Sequence, residues 1–304
     1  MSEMTTKLLA VGLYLVFAPV LGCLLSGIDR KITARMQSRI GPPILQPWYD
    51  FRKLLLKENL VVRRSQNFYV FFYLLFMIFT GGLFFMGGDL LLVVFALTLA
   101  SIFMVLAAYK ASSPYSFIGA ERELLQIMAY EPMLLLVIVG LYMITGSFNV
   151  SDILAFNHTA ANAKIHAPLV LQGLGLFLGL IYILTIKLRK SPFDLSSSHH
   201  AHQELVRGLT VEFSGRAMAA IELAHWYETV LVLGLVYLFL GSWWWIALPV
   251  TLLVFFLELV ADNTCSRVKW QMAVKSSWII AATLGVGNIF VLQYWNQIAS
   301  IFGK

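Results

Sequence analysis

Charge is what this chain most lacks. Of its 304 residues only 12% are Asp, Glu, Lys or Arg, and 59% are hydrophobic, whereas soluble domains carry about 25% charged residues. A water-soluble fold of this length could not cover its surface, so that class is excluded. Cysteine is almost missing too. Cys23 and Cys265 stand at opposite ends of the chain, and iron–sulfur clusters are usually held by about four thiolates. No such electron carrier is expected here. Walker, dinucleotide-binding and HExxH motifs are absent, as are the inverted repeats of many transporters.

What is present is apolar sequence in long blocks. Eight stretches approach or exceed the ~20 residues that cross a bilayer core. They fall at 8–28, 68–88, 90–109, 132–148, 168–186, 223–241, 243–261 and 276–296. The fourth is short and begins at Pro132; the preceding FIGAERELLQIMAYE could lengthen it. The expected fold is one integral-membrane domain over 1–304, an all-α polytopic protein of about eight transmembrane helices with long cytoplasmic loops and an amphipathic interfacial helix. The sequence VLGC at 20–23 has the form of a lipoprotein cleavage box, but the apolar run continues past Cys23 into IDRKITAR. That ending is expected of a retained first helix, since a cleaved signal has a short apolar core.

Basic residues near membrane-spanning ends stay in the cytoplasm. Nineteen of the 22 Lys and Arg fall in odd-numbered loops, leaving Lys7, Lys164 and Lys304 on the other face. Lys187, Arg189 and Lys190 are counted in the fifth-to-sixth loop. Both termini are therefore expected outside. The net charge of +6 mostly reflects this bias and calls for no nucleic-acid partner. The outer segments look plain: GGD at 87–89 and GS at 241–242 read as turns, and 149–167 as a polar loop.

The cytoplasmic loops are longer and patterned. After Pro42 and Pro43 the first loop places Ile44, Trp48, Phe51 and Leu55 at helical spacing on one face, the mark of an interfacial amphipathic helix. Asp50 and Lys53, at i and i+3, are candidates to line a cavity where a redox partner docks. The second patterned segment ends with Glu131 against Pro132, where a helix is expected to kink.

Acids inside the apolar segments carry the strongest functional signal, because a charge at a helix centre costs ~2.5–3.5 kcal/mol on insertion scales. Glu222, His225 and Glu228 step by three along the sixth segment, over roughly 9 Å of helix axis. Glu258 and Asp262 share a face of the seventh. Titratable groups so spaced could relay protons through water. All lie toward the cytoplasmic side, so this chain reads as the input end of an ion path.

SSSHHAHQE, at 196–204, packs His199, His200 and His202 beside Glu204. Without cysteines or a metal-site framework it is not a specific metal signature. A hydrogen-bonded loop against a partner is expected, and no metal or other cofactor in this chain.

RMQSRIGPPILQPWYDFRKLLLKE, GAERELLQIMAYEP and KSPFDLSSSHHAHQELVRGLTVEFSG resemble, in order, the loop signatures of one family. It comprises the ND1-like, eight-helix membrane subunit of respiratory complex I and its counterparts in energy-converting nickel–iron hydrogenases, of the Ech-like and carbon-monoxide-induced kinds. Arg39, Gly41, Pro42, Gln46, Asp50 and Lys53 match the first motif, and Gly119, Arg122 and Glu131 the second. Asp194, Glu204, Glu212, Ser214 and Gly215 match the third. The resemblance implies redox-arm docking through Arg35, Arg39, Gln46, Asp50, Lys53, Arg122 and Asp194. With the acids placed by spacing, an ion relay is expected through Glu131, Glu204, Glu212, Glu222, His225, Glu228, Glu258 and Asp262.

It further implies partners in a prokaryotic inner membrane: an iron–sulfur small subunit, a nickel–iron large subunit, antiporter-like subunits and a ferredoxin donor, with lipid around. The first loop is shorter than in complex I versions, and SSSHHAHQ replaces their acid cluster. Both departures favour the hydrogenase branch over a quinone-binding one. A quinone-site subunit and a solitary ion transporter are the competing readings.

Overall fold

The computed structural model describes residues 3–60, 63–163, 169–193, 195–196, 207–241 and 244–302. Its elements are helical throughout. In chain order they are α1 (Glu3–Met36), α2 (Gln46–Leu56), α3 (Arg64–Phe85), α4 (Leu90–Lys110), α5 (Pro114–Thr145) and α6 (Val150–Ala163). There follow α7 (Leu169–Gln172), α8 (Leu174–Lys187), α9 (Gly215–Leu240), α10 (Trp244–Thr264), α11 (Trp270–Ile280) and α12 (Gly287–Phe302). A π-helical stretch, Ala281–Val286, joins the last two.

Seven helices among the described residues are long and apolar enough to cross a membrane, counting Trp270–Tyr294 as one. The fifth expected span is the exception. Gly173 divides it into α7 and α8, and α8 alone has 14 residues. The chain is a multi-pass membrane protein.

The fourth span begins earlier than its apolar run. GAERELLQIMAYE is continuous with it, making α5 a helix of 32 residues with Pro132 inside. Proline cannot donate to the carbonyl four residues back, which is that of Met128. Trp278 Nε1 donates to this oxygen at 3.2 Å, and Ser277 Oγ donates to the next carbonyl, of Ala129. Helix α11 thus supplies the bond that Pro132 withholds, through Trp278, as a backbone away from water requires.

The segment after Asn149, expected to be a plain loop, is also helical. In α6 Asp152 accepts from Ser147 Oγ at 2.6 Å and Asn149 Nδ2 at 3.1 Å, and an isolated bridge ties Asn149 to Asp89. Asp89 itself caps α4, accepting from the Leu91 amide at 2.7 Å.

The core lies among α3, α4, α5, α8 and α9, with Tyr73, Met77, Leu97, Met104, Met133 and Leu180 essentially inaccessible. Helices in lipid gain little from hydrophobic exclusion and associate by close packing. Ala100, Ala107 and Ala108 provide it on α4. The patterned loops collect at one end: Leu60 bonds to Ser214, Val268 to Pro192, and Arg30 to Asp50.

There α2 lies against α1 and α9. Its packed edge differs from the face expected from spacing. Pro47 is buried, Phe51 stacks obliquely on Trp226 at 5.3 Å, while Trp48 and Leu55 are exposed. Exposed apolar groups on a helix flanking a membrane domain suit the interface.

Candidate functional site: a buried ion-pair network at the end of α8

The last residue of α8 and the turn after it read KLRK, at 187–190, and these cations diverge into the bundle. The helix ends at Lys187; Arg189 takes a left-handed backbone at φ 52°, a sparsely populated conformation for a long side chain. Amide bonds from Arg189 to Ile186 and from Lys190 to Thr185 hold the turn. Three side chains therefore leave a four-residue stretch in three directions, each toward acids on another helix.

Lys187 points into the bundle. Its ammonium lies 2.7 Å from Glu228 Oε1 on α9 and donates to Ser101 Oγ on α4 and Tyr130 Oη on α5, both at 3.1 Å. Three N–H groups meet three acceptors. Its charge alone places Lys187 among the loop residues, yet it is only 8% exposed. The apolar stem of α8 carries it inward, and Glu228 compensates its charge.

Arg189 reaches Glu123 on α5, 2.7 Å from Oε1, and also contacts His225 Nε2 at 2.9 Å. A guanidinium only donates, so the ring accepts from Arg189, whose Nη1 lies 2.9 Å from Nε2 and 3.3 Å from Nδ1, and Nδ1 is also 3.1 Å from Glu228 Oε2. His225 thereby joins the two ion pairs. Burial alone would lower the Arg189 pKa, but the Glu123 and Glu228 carboxylates more than offset it and hold it above its ordinary value. Ser196, first residue of the histidine-rich stretch, is buried and bonds to both Glu123 and Gln126.

Lys190 turns outward to Asp29 on α1 and lies 3.5 Å from Asp262 on α10. Asp262 also accepts from the Ser191 amide at 2.8 Å. Burial would lower the Lys190 pKa; Asp29 and Asp262 outweigh it and raise the value.

Two cavities open beside this network. One of about 270 Å³ is lined by Glu222, His225 and Glu228 together with Lys187 and Arg189. A second, of about 600 Å³, lies under α2 and is lined by Asp50, Lys53, Glu222 and Asp262. The two share Asp29, Arg30, Lys190 and Glu222 among their walls.

The three α9 groups chosen by spacing therefore face one cavity. Asp50 and Lys53 face the neighbouring one, though Asp50 pairs with Arg30 at 2.7 Å and accepts from Gln46 at 2.9 Å. Glu258 is 2% exposed, and its Oε2 has no hydrogen-bond partner among the described residues. Glu131 and Glu212 are half-buried and line neither cavity. Arg35 and Arg39 are exposed at the end of α1; Arg39 borders a third cavity of about 510 Å³ with Asp262 and Cys265. Arg122 is half-buried on α5. Asp194, His199, His200, His202 and Glu204 lie outside the described residues.

Sequence reasoning missed Glu123, Lys187, Arg189, Lys190 and Asp29 as members of a site. Glu123 sat in the segment expected to lengthen the fourth span but was not singled out there, and the cations were read only as topology signals. The available clue was an acid within the helical continuation of an apolar span.

The sequence pattern of the NADH dehydrogenase family matches residues 8–293. The chain belongs to this ND1-like family. It is 31% identical to a subunit of the NADH-quinone oxidoreductase of Anoxybacillus flavithermus, over 95% of this chain and 93% of the relative. It is 30% identical to hydrogenase-4 component C of Escherichia coli, over 88% of this chain and 91% of the relative. Among solved structures, it superposes on a chain of the membrane-bound sulfane sulfur reductase, an archaeal respiratory membrane complex. The TM-score is 0.80 at 26% identity, covering 93% of this chain and 99% of that one. Like these relatives it is a complex I-like membrane subunit, and the KLRK turn, α2 and both cavities all fall within the family match.

Proposed function

We propose that this chain is the membrane-anchoring, ion-coupling subunit of an energy-converting nickel–iron hydrogenase. In this reading the partners are an iron–sulfur small subunit, a nickel–iron large subunit and antiporter-like membrane subunits, in a prokaryotic inner membrane. Ferredoxin supplies electrons, directly or through a partner, and the partner centres reduce protons to hydrogen. This chain docks the redox arm on its basic end and passes the energy on as H⁺ or Na⁺ movement.

The observation that carries the reading is the network around KLRK. A titratable path from the cavity under α2 to Lys187, in a chain with two cysteines, one buried and one exposed, suits ion coupling without a redox centre of its own. Intramembrane charges of this density are functional candidates by default. The likeness to hydrogenase-4 component C supports the hydrogenase branch.

One observation favours a second reading, a quinone-site subunit. The cavity of about 600 Å³ has Phe51, Leu54 and Trp226 in its walls, and apolar clefts with a few polar groups take small ligands. Affinity purification of the intact complex distinguishes the two. Nickel, iron–sulfur protein and hydrogen evolution support the first. Quinone-dependent turnover without nickel replaces it with the second, and an isolated chain that transports ions by itself removes both.

A further inference from the structure

The Lys187 ammonium holds three acceptors at once. It touches Glu228 on one side and the Tyr130 and Ser101 hydroxyls on the other, with the Tyr130 ring centroid 4.7 Å away. Arg189 is built differently: its rigid fork is committed to Glu123 and His225 at once. A lysine carries a compact charge on a flexible four-carbon stem, and this one ends the helix that bears it.

The two sides of Lys187 also lead to different places. Glu228 lines the 270 Å³ cavity, along with His225. Ser101 and Tyr130 belong to the packed interface of α4 with α5 and are buried. α4 carries no acid or cation of its own before Lys110. Tyr73 from α3 completes the surroundings, its hydroxyl 3.4 Å from His225 Nδ1.

We propose that Lys187 is the mobile cation of this site, leaving Glu228 for the Tyr130–Ser101 seat when Glu228 takes up a proton. The step rests on the ion-coupling reading above. One O–H bond forms on Glu228, with the proton arriving from the cavity side. Lys187 keeps all its protons and breaks only its ion pair. The pair gains one positive charge, now placed against α4 and α5. Two hydroxyls and an aromatic face reduce the cost of a buried ammonium without its counter-ion. Return of the proton to the cavity draws Lys187 back. A cavity event thus becomes a charge displacement inside the bundle, toward an α4 that has no charge of its own before Lys110.

The test uses the intact complex in vesicles, with ion transport per electron and redox turnover measured together. E228Q examines the underlying reading: if its transport is normal, ion coupling through Glu228 is wrong. If E228Q is impaired while K187Q transports normally, the mobile cation alone is wrong. The expected result for K187Q is transport lowered by about tenfold or more, equivalent to about 1.4 kcal/mol, with redox turnover near wild type. Its infrared spectrum should gain a protonated-carboxyl band that vanishes in K187Q/E228Q.

K187R separates motion from mere charge, since a guanidinium keeps the pair but not the freedom. Its transport should also fall; wild-type transport in K187R would show that a fixed cation suffices and overturn the proposal. Should the single variants not assemble, the neutral pair in K187Q/E228Q should. Redox turnover without transport supports the proposal there, and transport overturns it.

Discussion

The Lys187 ammonium and the Glu228 carboxylate lie 2.7 Å apart with both side chains 6% exposed. Burying such a pair costs desolvation of both ions, and removing one partner strands the other at about 3–5 kcal/mol. The pair is therefore weak evidence for stability and stronger evidence for use. His225 ties it to the Arg189–Glu123 pair, so a change at either acid is felt at the other. Lys190 anchors the same turn to α1 and α10.

The orientation can be read with a native thiol. Cys265 is exposed at the basic end and Cys23 is buried. An impermeant maleimide should label Cys265 in inside-out vesicles and spare it in intact cells. Labelling in intact cells would reverse the topology drawn from the Lys and Arg distribution.

Docking should depend on the exposed basic residues beside α2. Arg39→Glu and Lys53→Glu alter side chains that make no ion pair with the network around KLRK, so the bundle should stay folded. The hydrophilic arm should dissociate at lower salt than in the wild type, since surface attraction is screened within about 8–10 Å at physiological ionic strength. Salt-titrated gel filtration checks this, and an unchanged profile in both variants would move the docking face elsewhere.

Gly27 holds α2 in place by having no side chain. A Cβ there would stand 1.8 Å from the Ile44 carbonyl oxygen, a backbone atom with little room to yield. Gly27→Ala should push the entry of α2 away from α1 at a cost of about 1–3 kcal/mol. Thermal unfolding in detergent should shift downward, and proteolysis near residues 40–46 should accelerate. Gly119→Ala meets the Leu209 amide nitrogen at 2.4 Å and should destabilise similarly without exposing α2.

Lys190 predicts a pH window. Asp29 and Asp262 raise its pKa above the ordinary lysine value against the opposing effect of burial. A group with a raised folded-state pKa contributes fully below the unfolded value, near 10.4, and loses its contribution as pH rises through the folded one. The melting temperature should therefore include the Lys190 clamp throughout neutral pH and lose it only in strong alkali. Lys190→Met should lower the melting temperature near pH 7 and shrink the alkaline decline. An equal decline in the variant would assign it to another group.

The sequence determined that this is a membrane domain, because apolar blocks of bilayer length admit no soluble fold. It determined the amphipathic α2 and the grouping of Glu222, His225 and Glu228, because both depend on spacing along one helix. Gly173, Pro132 and the helix after Asn149 were harder. Whether a glycine divides a span, or a proline is tolerated, depends on donors from elsewhere, such as Trp278 and Ser277. Which charge meets which was decided only by the tertiary structure. Lys187 and Glu228 are 41 positions apart, Arg189 and Glu123 are 66, and Lys190 and Asp29 are 161. Local pattern carries no information across such distances. A basic residue at a helix end obeys the same charge rule whether it faces water or turns inward, and only the packing of α8 against α5 and α9, with Ser101 of α4 within reach of Lys187, supplies the partners that stabilise the inward turn.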